Sequence, residues 1–138
     1  MKSLSGTWFS ELGSRLEIIV KNDGLIEGMY YSAVGGTQGA FRITGMVDNL
    51  ALNGSRCFGL VVSWNNDHVN QHSVTVWSGQ YQVIDSEEVL TATWLLTRET
   101  DPTNDWTSTL VGSDTFHRAP PTSTKLKRTQ RPEPMLSK

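Results

Sequence analysis

The sequence predicts an all-β protein, an eight-stranded antiparallel up-and-down barrel. Three observations predict it. No apolar pattern of period 3.6 is sustained anywhere in the 138 residues, so no good helix is expected. Short runs rich in Val, Thr and aromatic residues recur between turn signals. Eight such runs joined by short connections can close on themselves, which removes the edges that an open sheet exposes.

The runs follow one another along the chain. Residues 7–11 form the first. Residues 15–21 form the second, with Leu16, Ile18 and Val20 on one face and Arg15, Glu17 and Lys21 on the other. Asn22-Asp23-Gly24 is a hairpin signal, and residues 25–32 return as the third run. Residues 33–39, with three glycines, read as a loop before the fourth run, 40–47. A polar loop over 48–57 precedes the fifth, 58–65, and residues 66–70 form another loop. The sixth run is 71–84, the seventh 88–98 and the eighth 106–117. Residues 1–118 thus form one domain, and eight strands enclose room for one small ligand. Residues 119–138 hold four of the five prolines and little that is apolar, so a flexible tail is expected.

The segment 72–80 is the one around which the others are arranged. Alternation places Ser73, Thr75 and Trp77 on one face and Val74 and Val76 on the other. A half-buried strand would ordinarily turn its valines inward and its hydroxyls to water. Here the hydroxyls share a face with a Trp, as in a pocket wall where an aromatic gives contact area and hydroxyls orient a ligand. The valine face would then be covered from outside, for instance by another subunit.

Composition removes several functions. No apolar run approaches the roughly 20 residues that a membrane helix needs. The net charge of −2 divides into a tail of about +4 and a body of about −6, and an acidic body argues against nucleic acid as partner. The single Cys57 excludes an internal disulfide and a cysteine metal framework; a small buried hydrophobe or a loop thiol is expected. His68, His72 and His117 share no metal-ligand spacing. His72 and Ser73 are adjacent on a strand and face opposite ways, so with Asp114 they do not make a hydrolase triad, and no enzyme activity is expected. Met1-Lys2-Ser3-Leu4 runs straight into a strand-like segment without a charged-then-apolar leader. The chain is then either cytoplasmic or one whose leader has been removed.

Trp8, Trp64, Trp77, Trp94 and Trp106 are more tryptophan than a core of this size needs. Small-ligand sites are mostly apolar and aromatic with a few placed polar groups, though Trp8 reads as ordinary barrel packing. The blocks that carry them are Leu4-Ser5-Gly6-Thr7-Trp8, Glu11-Leu12-Gly13-Ser14, Tyr30-Tyr31-Ser32-Ala33-Val34-Gly35, His72-Ser73 through Trp77-Ser78-Gly79-Gln80-Tyr81, Trp94-Leu95-Leu96-Thr97 and Trp106-Thr107-Ser108-Thr109-Leu110 through Phe116. In order and spacing these six blocks resemble the avidin/streptavidin family of biotin-binding proteins over about residues 4–118. They look closer to its bacterial and fungal members than to the egg-white type, whose disulfide this chain cannot form.

The resemblance implies a homotetramer that binds biotin as a ligand without catalysis, in a secreted or periplasmic setting. It implies that Ser10, Ser14 and Tyr30 hydrogen-bond the ureido oxygen, with Ser32 and Asp114 accepting from its two N–H groups. Thr75 would donate to the thioether sulfur, and Ser73 and the Gly36 backbone would meet the carboxylate. Trp64, Trp77 and Trp94 would box the rings, with Leu12, Val34 and Leu96 beside them. Trp106 would enter a neighbouring subunit's site, and residues 33–39 would cover the ligand. Donors converging on one oxygen favour a polarised, anion-like group, the logic of an oxyanion hole.

The chain departs from the family pattern at Ser10, where Asn is usual, at Gly36, in the loop after Trp64 (Asp67, His68, Val69 and Gln71), and at Arg98, where a small polar residue is common at the pocket mouth. The competing expectation is a lipocalin-like carrier of another small ligand. Such barrels usually line their cavities with aliphatics, whereas the candidate lining here is Trp, Ser, Thr and Asp.

Overall fold

The computed structural model describes residues 3–33, 39–50 and 54–122. Its eight strands are β1 (Gly6–Ser10), β2 (Arg15–Val20), β3 (Leu25–Tyr31), β4 (Ala40–Val47), β5 (Arg56–Asn65), β6 (Asn70–Ile84), β7 (Glu87–Arg98) and β8 (Thr109–His117). Each strand pairs antiparallel with the next, and β8 returns to β1 to close the barrel. This is the fold that the recurring strand runs predict.

The turns obey local chemistry. Gly24 has φ of 90°, a left-handed value that a side chain resists, and its N–H donates to the Lys21 carbonyl to close the β2–β3 hairpin. Asp85 and Ser86 both have positive φ, the pair of values a two-residue type I′ turn needs between β6 and β7. Inward positions alternate with outward ones along every strand, as in β2, where Leu16 and Ile18 are buried between exposed Glu17 and Ile19.

Two expectations need correction. Residues 102–107 form a short 3-10 helix, Pro102–Thr107, and β8 starts only at Thr109, so Trp106 is not on a strand. The cause is local: Asp101 caps the helix by accepting from the Asn104 N–H, and Pro102 occupies its first turn, where a missing N–H costs nothing. The fifth strand begins at Arg56 and not at residue 58, so Cys57 lies on a strand and faces solvent, neither buried nor in a loop.

The closing seam is short. β1 and β8 pair only as Phe9 with His117 and Ser10 with Phe116. Arg118 reinforces it from just beyond β8: its guanidinium donates to the carbonyls of Ser5 and Ser3 and to the Glu88 carboxylate at 3.1, 2.8 and 3.1 Å. Trp8 is fully buried beneath it and donates from Nε1 to the Leu4 carbonyl at 2.8 Å, which bears out its role in packing. The tail lies outside the described residues beyond Thr122.

On the outer surface, Val61, Val76, Leu95 and Val111 stand in one row across β5 to β8, each the register partner of the next. Val74 and Val76 are each 40% exposed and Val111 is 67% exposed. The valine face of β6 therefore points out of the barrel, as the alternation requires.

Candidate functional site

Antiparallel order puts the β1–β2, β3–β4, β5–β6 and β7–β8 connections at one end of the barrel. The candidate residues gather on the inner wall towards that end. Ser10 ends β1, Tyr30 lies near the end of β3 with Ser32 just beyond it, Trp64 lies near the end of β5, Ser73 and Thr75 open β6, and Leu96 approaches the end of β7. Trp77, Trp94 and Asp114 stand deeper on β6, β7 and β8.

Burial follows that placement. Ser10, Ser14, Tyr30, Trp64, Thr75, Trp77, Trp94, Leu96 and Asp114 are buried, and Leu12, Ser32 and Ser73 are half-buried. Val34 and Gly36 lie outside the described residues. Trp106 stands apart from the rest: it is 84% exposed on the 3-10 helix and is not part of the buried core. His72 is exposed and Ser73 faces inward, so these two neighbours do point opposite ways.

The aromatic wall is continuous. Tyr30 stacks on Trp77 with ring centroids 5.6 Å apart and meets Trp64 edge-on at 5.3 Å. Phe41 also meets Trp64 edge-on, at 5.1 Å. A register shift in the β5–β6 ladder between Ser63 and Asn65 falls at Trp64, and such irregularities re-aim side chains. Trp94 is accommodated by Gly112, its register partner on β8. A Cβ at Gly112 would lie 2.1 Å from Cζ2 of the indole. The backbone there does not need glycine for its φ, so what glycine supplies is space.

The hydroxyls are already engaged, each in the same sense. Ser10 and Ser14 sit in a turn closed by Ser10 N–H to the Ser14 carbonyl at 2.8 Å. The Ser10 Oγ accepts from the Ser14 N–H at 3.1 Å, and the Ser14 Oγ accepts from the Ala33 N–H at 3.0 Å. The Thr75 Oγ1 accepts from Trp64 Nε1 at 2.8 Å. A hydroxyl has one proton to give and two lone pairs. In each of the three, a fixed N–H occupies a lone pair, and the proton has no acceptor among the described residues. On β8, the Asp114 Oδ2 accepts from Trp77 Nε1 at 2.9 Å, which holds that carboxylate in place.

The inner wall is therefore aromatic, with hydroxyls on the β1–β2 turn and β6 and an oriented carboxylate on β8. Such a site suits a compact ligand that has both an acceptor and N–H groups. Two residues to which no sequence signal pointed matter here: Gly112, which makes room for Trp94 in this wall, and Arg118, which closes the barrel seam beside β1. Neither carries a signal in the pattern of apolar residues, because one acts by lacking a side chain and the other acts only once the first and last strands meet.

Comparison with known proteins agrees with this architecture. The Avidin family model matches residues 1–119. Avidin-related protein 2 of Gallus gallus is 34% identical over 120 residues, which cover 84% of this chain and 77% of that protein. Avidin of the same species is 32% identical over 122 residues, covering 84% and 78%. Avidin-related protein 6 is 34% identical over 123 residues, covering 84% and 77%. Family match, relatives of this extent and an eight-stranded closed barrel converge: this chain belongs to the avidin family.

Proposed function

We propose that this protein binds biotin, without catalysis, against the inner wall of the barrel. One observation carries the reading: Ser10, Ser14 and Thr75 each accept from a fixed N–H group, which leaves the hydroxyl proton available to donate to a ligand. Ser10 and Ser14, with the Tyr30 hydroxyl, would give theirs to the ureido oxygen. Convergent donors stabilise partial negative charge on that oxygen. Ser32 and Asp114 would accept from the ureido N–H groups, and Asp114 is held for that task by Trp77. Thr75 would meet the sulfur and Ser73, with the Gly36 backbone, the carboxylate. Trp64, Trp77, Trp94, Leu12, Val34 and Leu96 would surround the rings.

The working form we propose is a homotetramer. The outward row Val61–Val76–Leu95–Val111 is a contiguous apolar surface of the kind that marks association. An indole as exposed as that of Trp106 is accounted for if it enters the site of a neighbouring subunit. Relatives' family membership supports a secreted or periplasmic location.

Native mass spectrometry with and without biotin tests the reading. The expected result is a tetramer that gains four biotin masses. A monomer that gains none would favour a lipocalin-like carrier of another ligand and overturn biotin binding.

A further inference from the structure

Arg98 is the last residue of β7 and the register partner of Ser73 on β6. Directly opposed residues share a face of the sheet. Alternation along β7 agrees: Trp94 and Leu96 are buried, Arg98 is half-buried, and Leu95, Thr97 and Glu99 are exposed. The guanidinium stem therefore belongs to the inner wall at the rim, one step above Leu96 and across from Ser73.

This placement is costly as it stands. The Nε of Arg98 is cut off from solvent and has no partner among the described residues. An arginine cannot relieve the cost by losing its proton, and a buried N–H without an acceptor costs free energy even though the rest of this half-buried side chain is not so enclosed. Nearby carboxylates are otherwise disposed. Glu99 is on the outer face and pairs with His72 at 3.4 Å. Asp101 accepts from Thr103 and Asn104 on the 3-10 helix. Asp67 is exposed on the β5–β6 connection. A cation on the inner rim, beside a hydroxyl and short of an acceptor, calls for an anion from the ligand.

We propose that Arg98 holds the anionic end of the ligand, so that a carboxylate sits between the Arg98 guanidinium and the Ser73 hydroxyl. The proposal rests on the biotin reading above and adds a selectivity to it. The site takes a ligand with a free carboxylate in preference to an uncharged derivative with the same rings. Charge-assisted bonds to a guanidinium are short, strong and directional, so the discrimination appears as slower release of the acid.

The test compares dissociation of biotin and of its uncharged primary amide from the full-length wild type, Arg98→Gln and Arg98→Lys. The wild type is expected to hold the acid about tenfold or more longer than the amide. Arg98→Gln is expected to release the acid faster by a similar factor and the amide at nearly the wild-type rate. Arg98→Lys, which keeps the charge and loses the fork, should fall between them. An acid-to-amide ratio that is the same in all three proteins overturns the role of Arg98 and leaves biotin binding standing. A wild type that binds neither compound overturns both. Should Arg98→Gln fail to fold, the acid-to-amide ratio of Arg98→Lys decides: a ratio equal to that of the wild type overturns the proposal, and a reduced ratio supports it.

Discussion

The guanidinium of Arg118 lies 3.8 Å from the centroid of the Trp8 ring. The contact joins the residue after the last strand to the middle of the first. It sits where the barrel closes through two register pairs only. The same guanidinium reaches Ser3, Ser5 and Glu88, so one side chain ties the segment before β1 and the start of β7 to the end of β8.

Arg118→Ala is therefore expected to destabilise the barrel by about 3 kcal/mol, from a desolvated cation–π contact and lost charge-assisted hydrogen bonds. That corresponds to on the order of 10 °C in the thermal midpoint. Truncation after Arg118, which removes residues 119–138, should leave the midpoint of the biotin complex nearly unchanged. Differential scanning calorimetry of both variants checks the pair, and a large drop on truncation would make the tail structural.

Tyr81 donates to the Glu88 carboxylate at 3.1 Å and meets Trp8 edge-on. Burial, then the hydrogen bond to Glu88 and its charge, raise the phenol pKa above the ordinary value of 10, against smaller opposing effects of Arg118 and Arg56. A phenol that resists ionisation in the fold, and ionises freely once unfolded, gives full stability below pH about 10 and loses it as the pH rises further. Urea midpoints at pH 8 and pH 11 should fall for the wild type and fall less for Tyr81→Phe. Equal declines would remove Tyr81 from the alkaline transition.

The bond from Trp64 to Thr75 predicts an asymmetric pair of variants. Thr75→Ala strands a buried indole N–H, at a cost of about 1–3 kcal/mol. Trp64→Phe removes that donor and also frees the Thr75 hydroxyl to turn. Biotin dissociation should accelerate in both, with ligand-free stability lowered more clearly by Thr75→Ala than its side-chain size suggests. Stopped-flow release and denaturant melts would show whether the two effects separate this way.

Ser10 is expected to give faster release than an Asn would. The Asn amide places its donor one bond farther from Cα, while its carbonyl can still accept from the Ser14 N–H that Ser10 now holds. A direct donor to a partly charged oxygen contributes about 1–2 kcal/mol, roughly a factor of ten. Ser10→Asn should slow biotin dissociation several-fold, and Ser10→Ala should speed it modestly. An off-rate for Ser10→Asn equal to or above that of wild type would mean that Ser10 already makes the contact well.

Trp106→Ala is expected to weaken ligand retention and subunit cohesion together, because a large aromatic buried on assembly contributes much apolar area. Size-exclusion chromatography and biotin release on the same sample test the coupling. A tetramer that holds biotin as wild type does would refute action across the interface.

Much of this protein was legible in its sequence. The alternation in residues 73–77 set an inner face of Ser73, Thr75 and Trp77 against outward Val74 and Val76, because a strand has only two faces and their period is fixed. Asn22-Asp23-Gly24 announced its hairpin for an equally local reason, the left-handed φ that glycine supplies. The eight strands and their order followed from such signals and were found within a few residues of their expected bounds. The helix at Pro102–Thr107 was local too, in its Asp-Pro start, yet Thr and Val around it masked the signal. Only the tertiary structure decided what depends on distant neighbours. The direction of the hydroxyl protons at Ser10, Ser14 and Thr75 was set by N–H groups of Ser14, Ala33 and Trp64. The room for Trp94 came from Gly112, and the seam at Trp8 was secured by Arg118, more than a hundred residues away. Strand period is written in adjacent residues, whereas hydrogen-bond polarity and close packing arise only when separate strands are brought side by side.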